Sequence, residues 1–439
     1  MLEALRDALW GWHVLLLILA AGIYFSVSGG FFQLRHVGRW LKAAVGGGEE
    51  GKKEGEITRF QALTAALAGS IGTGNIVGVA AAITVGGPGA LFWMWVSSLF
   101  GMMTVFGENL LAAKHKNAPG ALGYIESVQK WGKPLAALYA AGCCLSSFGM
   151  GNMTQTNACA ASLESFGLPA AATGLALGAL VFFVARGGLS FAVKITERLV
   201  PAMTLLFFGA SLGVLWVFRE NLPGAVQSIF AEAFTLRAGA GGTAGALLAL
   251  KTGVSRGVFT NEAGLGSSAF AYDKVERRTP VELGCMGIFQ VFVDTIVMCT
   301  VTGLCILCCR SPMLEGAKLT FFAYESALGQ PGSWAVSLCT ALFAAATVIS
   351  WCCYGREGLF YLTHGKGRTA FALVSALAAF LGCILPLKAV FQLGDAFNGL
   401  MAVPNILALF WCRNEIKEEL RGSENRERKK RFSQNFQKT

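Results

Sequence analysis

Two polar, glycine-punctuated interruptions, each set inside a long apolar stretch, constrain this chain more than any other feature. The first is Gly72-Thr73-Gly74-Asn75, between the apolar residues 62–69 and 76–85. The second is Asn261-Glu262-Ala263-Gly264-Leu265-Gly266, directly after residues 244–260. Hydrocarbon offers the backbone no hydrogen-bond partner, so a spanning segment is helical. Such a helix breaks at mid-depth only where protein or a polar cavity takes up the freed groups. Two interrupted helices at corresponding places in two halves of a chain point to the binding site of a secondary transporter.

That argument requires a membrane protein, and composition supplies one. Of 439 residues 54% are hydrophobic and 14% charged, with a mean hydropathy of +0.54; an average soluble domain carries about 25% charged residues. Eleven apolar segments are long enough, or nearly so, to cross about 30 Å of hydrocarbon. They fall at 10–32, 61–84, 89–113, 134–162, 169–185, 196–218, 243–272, 281–309, 333–360, 369–386 and 391–412. Arg6 precedes the first of them without a cleavage pattern before Phe31-Phe32, unlike a secretory signal. The 13 cysteines include a CxxC spacing, Cys305 to Cys308, but no second pair or histidine nearby completes a zinc site. They read as small buried hydrophobes.

Lysine and arginine orient the chain. With a cytoplasmic C-terminus and an odd number of spans, the N-terminus lies outside. Cytoplasmic segments then hold 27 of the 36 basic residues and external segments six: Arg6, Arg219, Arg237, Arg310, Lys318 and Lys388. Lys251, Arg256 and Arg356 fall inside spans. The net charge of +10 is mostly this asymmetry. The tail 413–439, with Arg426, Arg428, Lys429, Lys430 and Arg431, reads as a basic, disordered cytoplasmic extension rather than a nucleic-acid site.

Setting the first span aside with its loop (1–60) leaves ten. The first break lies in the first of these and the second in the sixth. Five spans per half give the halves opposite topology, an inverted repeat over 61–218 and 219–412. Gly72, Gly74, Gly264 and Gly266 let the backbone leave helical geometry and approach a ligand closely. Each half-helix N-terminus suits a carboxylate, and each half-helix C-terminus presents carbonyls suited to an ammonium group or Na⁺. Thr73 and Asn75 add oxygens for a hard cation. An amino acid zwitterion needs both ends within a few ångströms.

Directly after the first break, Gly86-Gly87-Pro88-Gly89-Ala90-Leu91-Phe92-Trp93-Met94-Trp95-Val96 resembles the signature of the alanine or glycine:cation symporter family. Three further segments are similar to it: 151–157 (GNMTQTN), 256–267 (RGVFTNEAGLGS) and 399–405 (GLMAVPN). The resemblance runs from about residue 10 to 412. It implies an all-α integral membrane protein with the leucine-transporter-like five-plus-five inverted repeat and one extra N-terminal helix. It also implies Na⁺- or H⁺-coupled uptake of alanine, glycine or a similar small amino acid, without a cofactor. By the same resemblance, the backbone at Gly72–Gly74 receives the substrate carboxylate. Carbonyls near Phe259, Thr260 and Asn261, with Gln155, face the ammonium, and Gly264 lies in the second break. Trp351 caps the pocket. Na⁺ sits at the carbonyls of Ala68 and Ile71 with the hydroxyls of Thr347 or Ser350, and Asn75 is a second candidate near the cation.

Two stretches depart from the family. Tyr354-Gly355-Arg356-Glu357 reverses the usual order of acid and base, and Gly120-Ala121-Leu122-Gly123-Tyr124 lacks the usual Gly-Gly-Pro-Met. Glu108, Asp294 and Asp395 sit in apolar surroundings, as proton relays or gates, or as carboxylates satisfied by helix ends or by Arg256. An intramembrane enzyme is disfavoured, since the four histidines (His13, His36, His115, His364) lie at span ends or in loops and no HExxH occurs. A channel would need a continuous polar path, and a sensor a signalling domain.

Overall fold

The computed structural model describes residues 1–45, 57–164, 166–234, 244–273, 275, 279–309, 314 and 316–436. Among them every regular element is a helix. Eight helices are long and apolar enough to cross a bilayer: Leu2–Ser28, Gly89–Lys114, Gly132–Glu164, Ala170–Gly187, Phe191–Val217, Pro280–Cys308, Gln330–Thr363 and Leu387–Trp411. Each coincides with one of the eleven apolar stretches. The other three stretches differ in a way the sequence explains. One is Arg59–Ser70 and Thr73–Gly86, bent by 56° at the Gly72 interruption. A second is Ala244–Asn261, which stops at the NEAGLG interruption and resumes as Ala269–Tyr272. The last, Arg368–Ile384, is only 17 residues long. Of the basic residues that orient the chain, Lys52, Lys53, Arg237, Lys274, Arg277, Arg278, Arg310 and Lys438 lie outside the described residues.

Local chemistry sets where the site-bearing helices begin. Thr58 caps the first broken helix by accepting from the Gln61 backbone N–H at 3.1 Å, and Gln61 Oε1 returns the bond to the Thr58 N–H at 3.1 Å. Thr279 and Glu282 form the same reciprocal cap on the Pro280–Val291 helix. Glycines let the second broken helix lie against Gly89–Lys114. A Cβ on Gly253 would stand 2.3 Å from the Ala90 carbonyl oxygen, and one on Gly257 2.3 Å from Ser97 Oγ. Two spans carry a turn of π-helix, Gly149–Met153 and Phe292–Cys299. The extra residue in each re-aims the side chains that follow, a feature frequent at functional sites.

The basic tail corrects the expectation of disorder, because Arg413–Phe436 is helical. Ile416 and Leu420 recur at four-residue spacing and are buried in the core, while Lys114 reaches Glu415 at 3.5 Å and Glu419 at 3.3 Å. Composition hid a stripe that needs only one apolar residue per turn to dock.

Candidate functional site

At the first break the freed backbone groups find named side chains. Asn75 Oδ1 accepts from the Gly72 N–H at 3.0 Å, and its Nδ2 donates to Asp294 Oδ1 at 2.8 Å. Gln155 Oε1 accepts from both the N–H (3.0 Å) and the hydroxyl (2.9 Å) of Thr73. The Thr347 hydroxyl donates to the Ile71 carbonyl at 3.4 Å. Gly72 has φ −129°, an extended conformation open to any residue. Glycine is required there by space: a Cβ would lie 2.5 Å from Thr347 Oγ1 and 3.0 Å from Gln155 Oε1. Gly74 in turn faces the second broken helix, where a Cβ would lie 2.8 Å from Thr260 Cγ2.

The second break is held differently. Glu262 takes φ 60°, while Gly264 and Gly266 take φ 89° and 68°, a region that glycine alone enters without cost. Asn261 Oδ1 caps the Ala263 N–H at 3.0 Å. The carbonyls freed by the break are taken up by side chains of other helices. Asn405 Nδ2 donates to the Gly264 oxygen at 2.9 Å, and the Tyr139 hydroxyl to the Leu265 oxygen at 2.8 Å. Asn405 also donates to Glu108 Oε1 at 2.7 Å and accepts from Tyr124. Glu108 is thereby placed as an anchor of the break, through Asn405.

Trp351 is fully buried. Its indole N–H donates to Glu262 Oε1 at 2.8 Å, and Ser267 holds the other carboxylate oxygen. Gly151 makes room for the ring, since a Cβ there would lie 2.3 Å from Trp351 Cβ. The Ser350 hydroxyl donates to the Ala65 carbonyl at 3.0 Å, where Tyr354 OH also donates at 3.2 Å. It thus lies one turn before Ala68, which is itself fully buried.

The fold therefore brings Gly72, Thr73, Asn75, Gln155, Ile71 and Thr347 to one side of the first break. It sets Gly74 against Phe259 and Thr260, with Asn261 behind them: Asn261 Nδ2 donates to Thr295 Oγ1 at 3.2 Å. Arg256 does not serve Asp294. It pairs with Asp395 while lying over the rings of Phe259 (4.9 Å) and Phe391 (4.8 Å). Arg356 pairs with its neighbour Glu357 at 3.3 Å. Sequence reasoning missed Tyr139 and Asn405 as holders of the second break. Each sits in a long, mostly apolar helix, and its role at the break shows only through its partners.

Residues 1–438 match the family model described as the sodium:alanine symporter family. The chain is similar to a transporter of Haemophilus influenzae, 36% identical over 95% of this chain and 94% of that protein. It is similar to the sodium/alanine symporter AgcS of Methanococcus maripaludis, 35% identical over 95% of this chain and 96% of the relative. It is also similar to the "Probable sodium/glutamine symporter GlnT" of Bacillus subtilis, 33% identical over 92% of this chain and 86% of the relative.

Proposed function

The chain belongs to the sodium:alanine symporter family, and from that premise we propose that it imports alanine or glycine together with Na⁺ by alternating access. The family is one of transporters, and secondary symport is the class its members share. The observation that carries the finer reading is the face-to-face packing of the two breaks, with Gly74 against Thr260 and Thr347 at the back of Gly72. One break offers positive half-helix ends to a carboxylate, and the other offers carbonyls to an ammonium group. Na⁺ would lie between the first broken helix and Gln330–Thr363, at the carbonyls of Ala68 and Ile71 with the Thr347 and Ser350 hydroxyls. Binding both ligands beside the same break links their affinities. The fold proposed is the five-plus-five inverted repeat, with halves 61–218 and 219–412 after a peripheral 1–60.

Relatives are named for alanine and for glutamine, so the wall of the pocket decides size. Trp351, wedged between Gly151 and Glu262, supports a small substrate. Trp351→Ala should lower alanine affinity by about 1–3 kcal/mol and admit larger side chains. Competition binding with alanine, glutamine and leucine checks this; an unchanged affinity with no broader range would remove Trp351 from the site.

Uptake of alanine and glycine into liposomes, with and without a Na⁺ gradient, tests the function directly. Accumulation driven by a proton gradient alone would favour the second reading, H⁺ coupling, for which the buried carboxylates Glu108, Glu262 and Asp294 are the observation. The proposed cell-membrane topology places the N-terminus outside and the tail in the cytoplasm. A cysteine introduced at Glu418, an exposed position of the tail helix, should resist impermeant thiol reagents on intact cells and react after permeabilisation. Rapid labelling of intact cells would reverse the orientation.

A further inference from the structure

We propose that His115, Cys412 and Glu415 bind Zn²⁺ where the tail helix meets the ends of Gly89–Lys114 and Leu387–Trp411. The metal site stands on its own geometry, and only its effect on uptake rests on the symport reading above. His115 Nε2 lies 3.1 Å from Glu415 Oε2. The Cys412 thiol sits beside Glu415 and 3.8 Å from Ser127 Oγ. Among the described residues this is the one place where three histidine, cysteine or carboxylate ligand atoms lie within 4.8 Å of one another.

Two distant parts of the chain supply the ligands. His115 ends the Gly89–Lys114 helix, its N–H donating to the Leu111 carbonyl at 2.9 Å. Cys412 ends Leu387–Trp411, and Glu415 follows one turn later in the tail helix, its N–H donating to the Cys412 carbonyl at 3.0 Å. Tetrahedral Zn²⁺ takes nitrogen, oxygen and sulfur at about 2.0–2.3 Å, which spaces the ligand atoms roughly 3.3–3.8 Å apart. Side-chain rotation alone closes the observed spread to that. Thiolate with imidazole selects a late first-row divalent metal over Mg²⁺ or Ca²⁺, and three protein ligands leave the fourth position to water. The thiol gives its proton to solvent as it binds, so thiolate and carboxylate match the two charges of the ion. Lys114, 3.5 Å from Glu415, is also 3.3 Å from Glu419 and stays paired when Glu415 turns to the metal. The His115 and Glu415 side chains are 21% and 35% exposed, which gives the ion a path from solvent, while Cys412 is buried behind them.

The site joins two helices that hold the second broken segment. Gly89–Lys114 packs on Ala244–Asn261 at Gly253 and Gly257, and Leu387–Trp411 carries Asn405, which donates to the Gly264 carbonyl. A metal bridging His115 to Cys412 and Glu415 pins the ends of both helices and the start of the tail together. Alternating access requires the helices around the breaks to shift against one another, so the bound metal slows the cycle without touching the alanine pocket.

The test uses the full-length protein in detergent, with Zn²⁺ binding measured by calorimetry and Co²⁺ as a spectroscopic substitute. Co²⁺ should give thiolate-to-metal charge-transfer absorption and the intense d–d bands of a four-coordinate site, abolished by excess Zn²⁺ and unaffected by Mg²⁺. Cys412→Ala should remove the charge-transfer absorption. His115→Gln should weaken Zn²⁺ binding by on the order of 100-fold, since loss of an outer-shell partner alone weakens a metal by about 10- to 100-fold. Zn²⁺ should raise the thermal midpoint of the wild type and not that of Cys412→Ala, and alanine binding by each variant checks that it is folded. No thiolate absorption in the wild type, or absorption that survives Cys412→Ala, would overturn the site. In liposomes, saturating Zn²⁺ should slow wild-type alanine uptake several-fold and leave uptake by Cys412→Ala unchanged. Zn²⁺ bound with wild-type uptake undiminished would overturn the link to transport. Absence of alanine uptake by the metal-free wild type would instead sink the symport reading, with the Co²⁺ absorption still deciding the metal site.

Discussion

Gly72→Ala should weaken alanine binding by about 10- to 100-fold, the equivalent of roughly 1–3 kcal/mol. The methyl group has nowhere to go. It would stand 2.5 Å from Thr347 Oγ1 and 3.0 Å from Gln155 Oε1. Thr347 is β-branched and set in the long Gln330–Thr363 helix, so it cannot swing aside as a lysine tip could. Forcing one methylene-sized group into such packing costs about 1–3 kcal/mol, and the strain falls where the carboxylate is proposed to sit. Backbone conformation is not the cause, because φ at Gly72 is −129°. The variant should therefore fold, and thermal melting without substrate distinguishes lost binding from lost structure. Wild-type alanine affinity in Gly72→Ala would place the carboxylate somewhere else.

Thr347→Ala combined with Ser350→Ala should raise the Na⁺ concentration needed for half-maximal alanine binding by on the order of 10- to 100-fold. Thr347 is expected to contribute the larger share, because its hydroxyl already lies on the Ile71 carbonyl that ends the first half-helix. Ser350 reaches Ala65, further back along that helix. Linkage makes the effect reciprocal, so the loss must appear equally in the alanine dependence of Na⁺ binding at this site. Gly74→Val is the contrasting variant. Its branched side chain meets the Thr260 methyl group and should depress alanine binding at every Na⁺ concentration. Undiminished Na⁺ stimulation in the Thr347/Ser350 double variant would exclude a cation between these two helices.

Much of the fold was readable before any coordinates. A bilayer forbids unsatisfied backbone, so eleven apolar stretches had to be helices and the two glycine clusters had to be interruptions. The long apolar helices fall on those stretches, and the breaks lie where glycine, threonine and asparagine replace the apolar run. The tail escaped because its buried apolar residues, Ile416 and Leu420, are scarce among charges. The π-helical turns escaped because one extra residue in a turn leaves no mark on hydropathy.

Sequence by itself determined which positions are glycine, which spans are apolar and where polar groups interrupt them, because those are properties of local chemistry. Only the tertiary structure decided which partner each polar group meets. Asn405 and Tyr139 reach the second break across 141 and 126 residues of chain. Arg256 goes to Asp395, leaving Asp294 to Asn75 and Thr295. Inside a membrane protein most side chains are apolar and interchangeable in pattern, so hydrophobicity sets depth but not neighbours. Neighbours come from helix crossing and close approach at residues such as Gly151, Gly253 and Gly257, where a single added carbon would collide with the helix opposite.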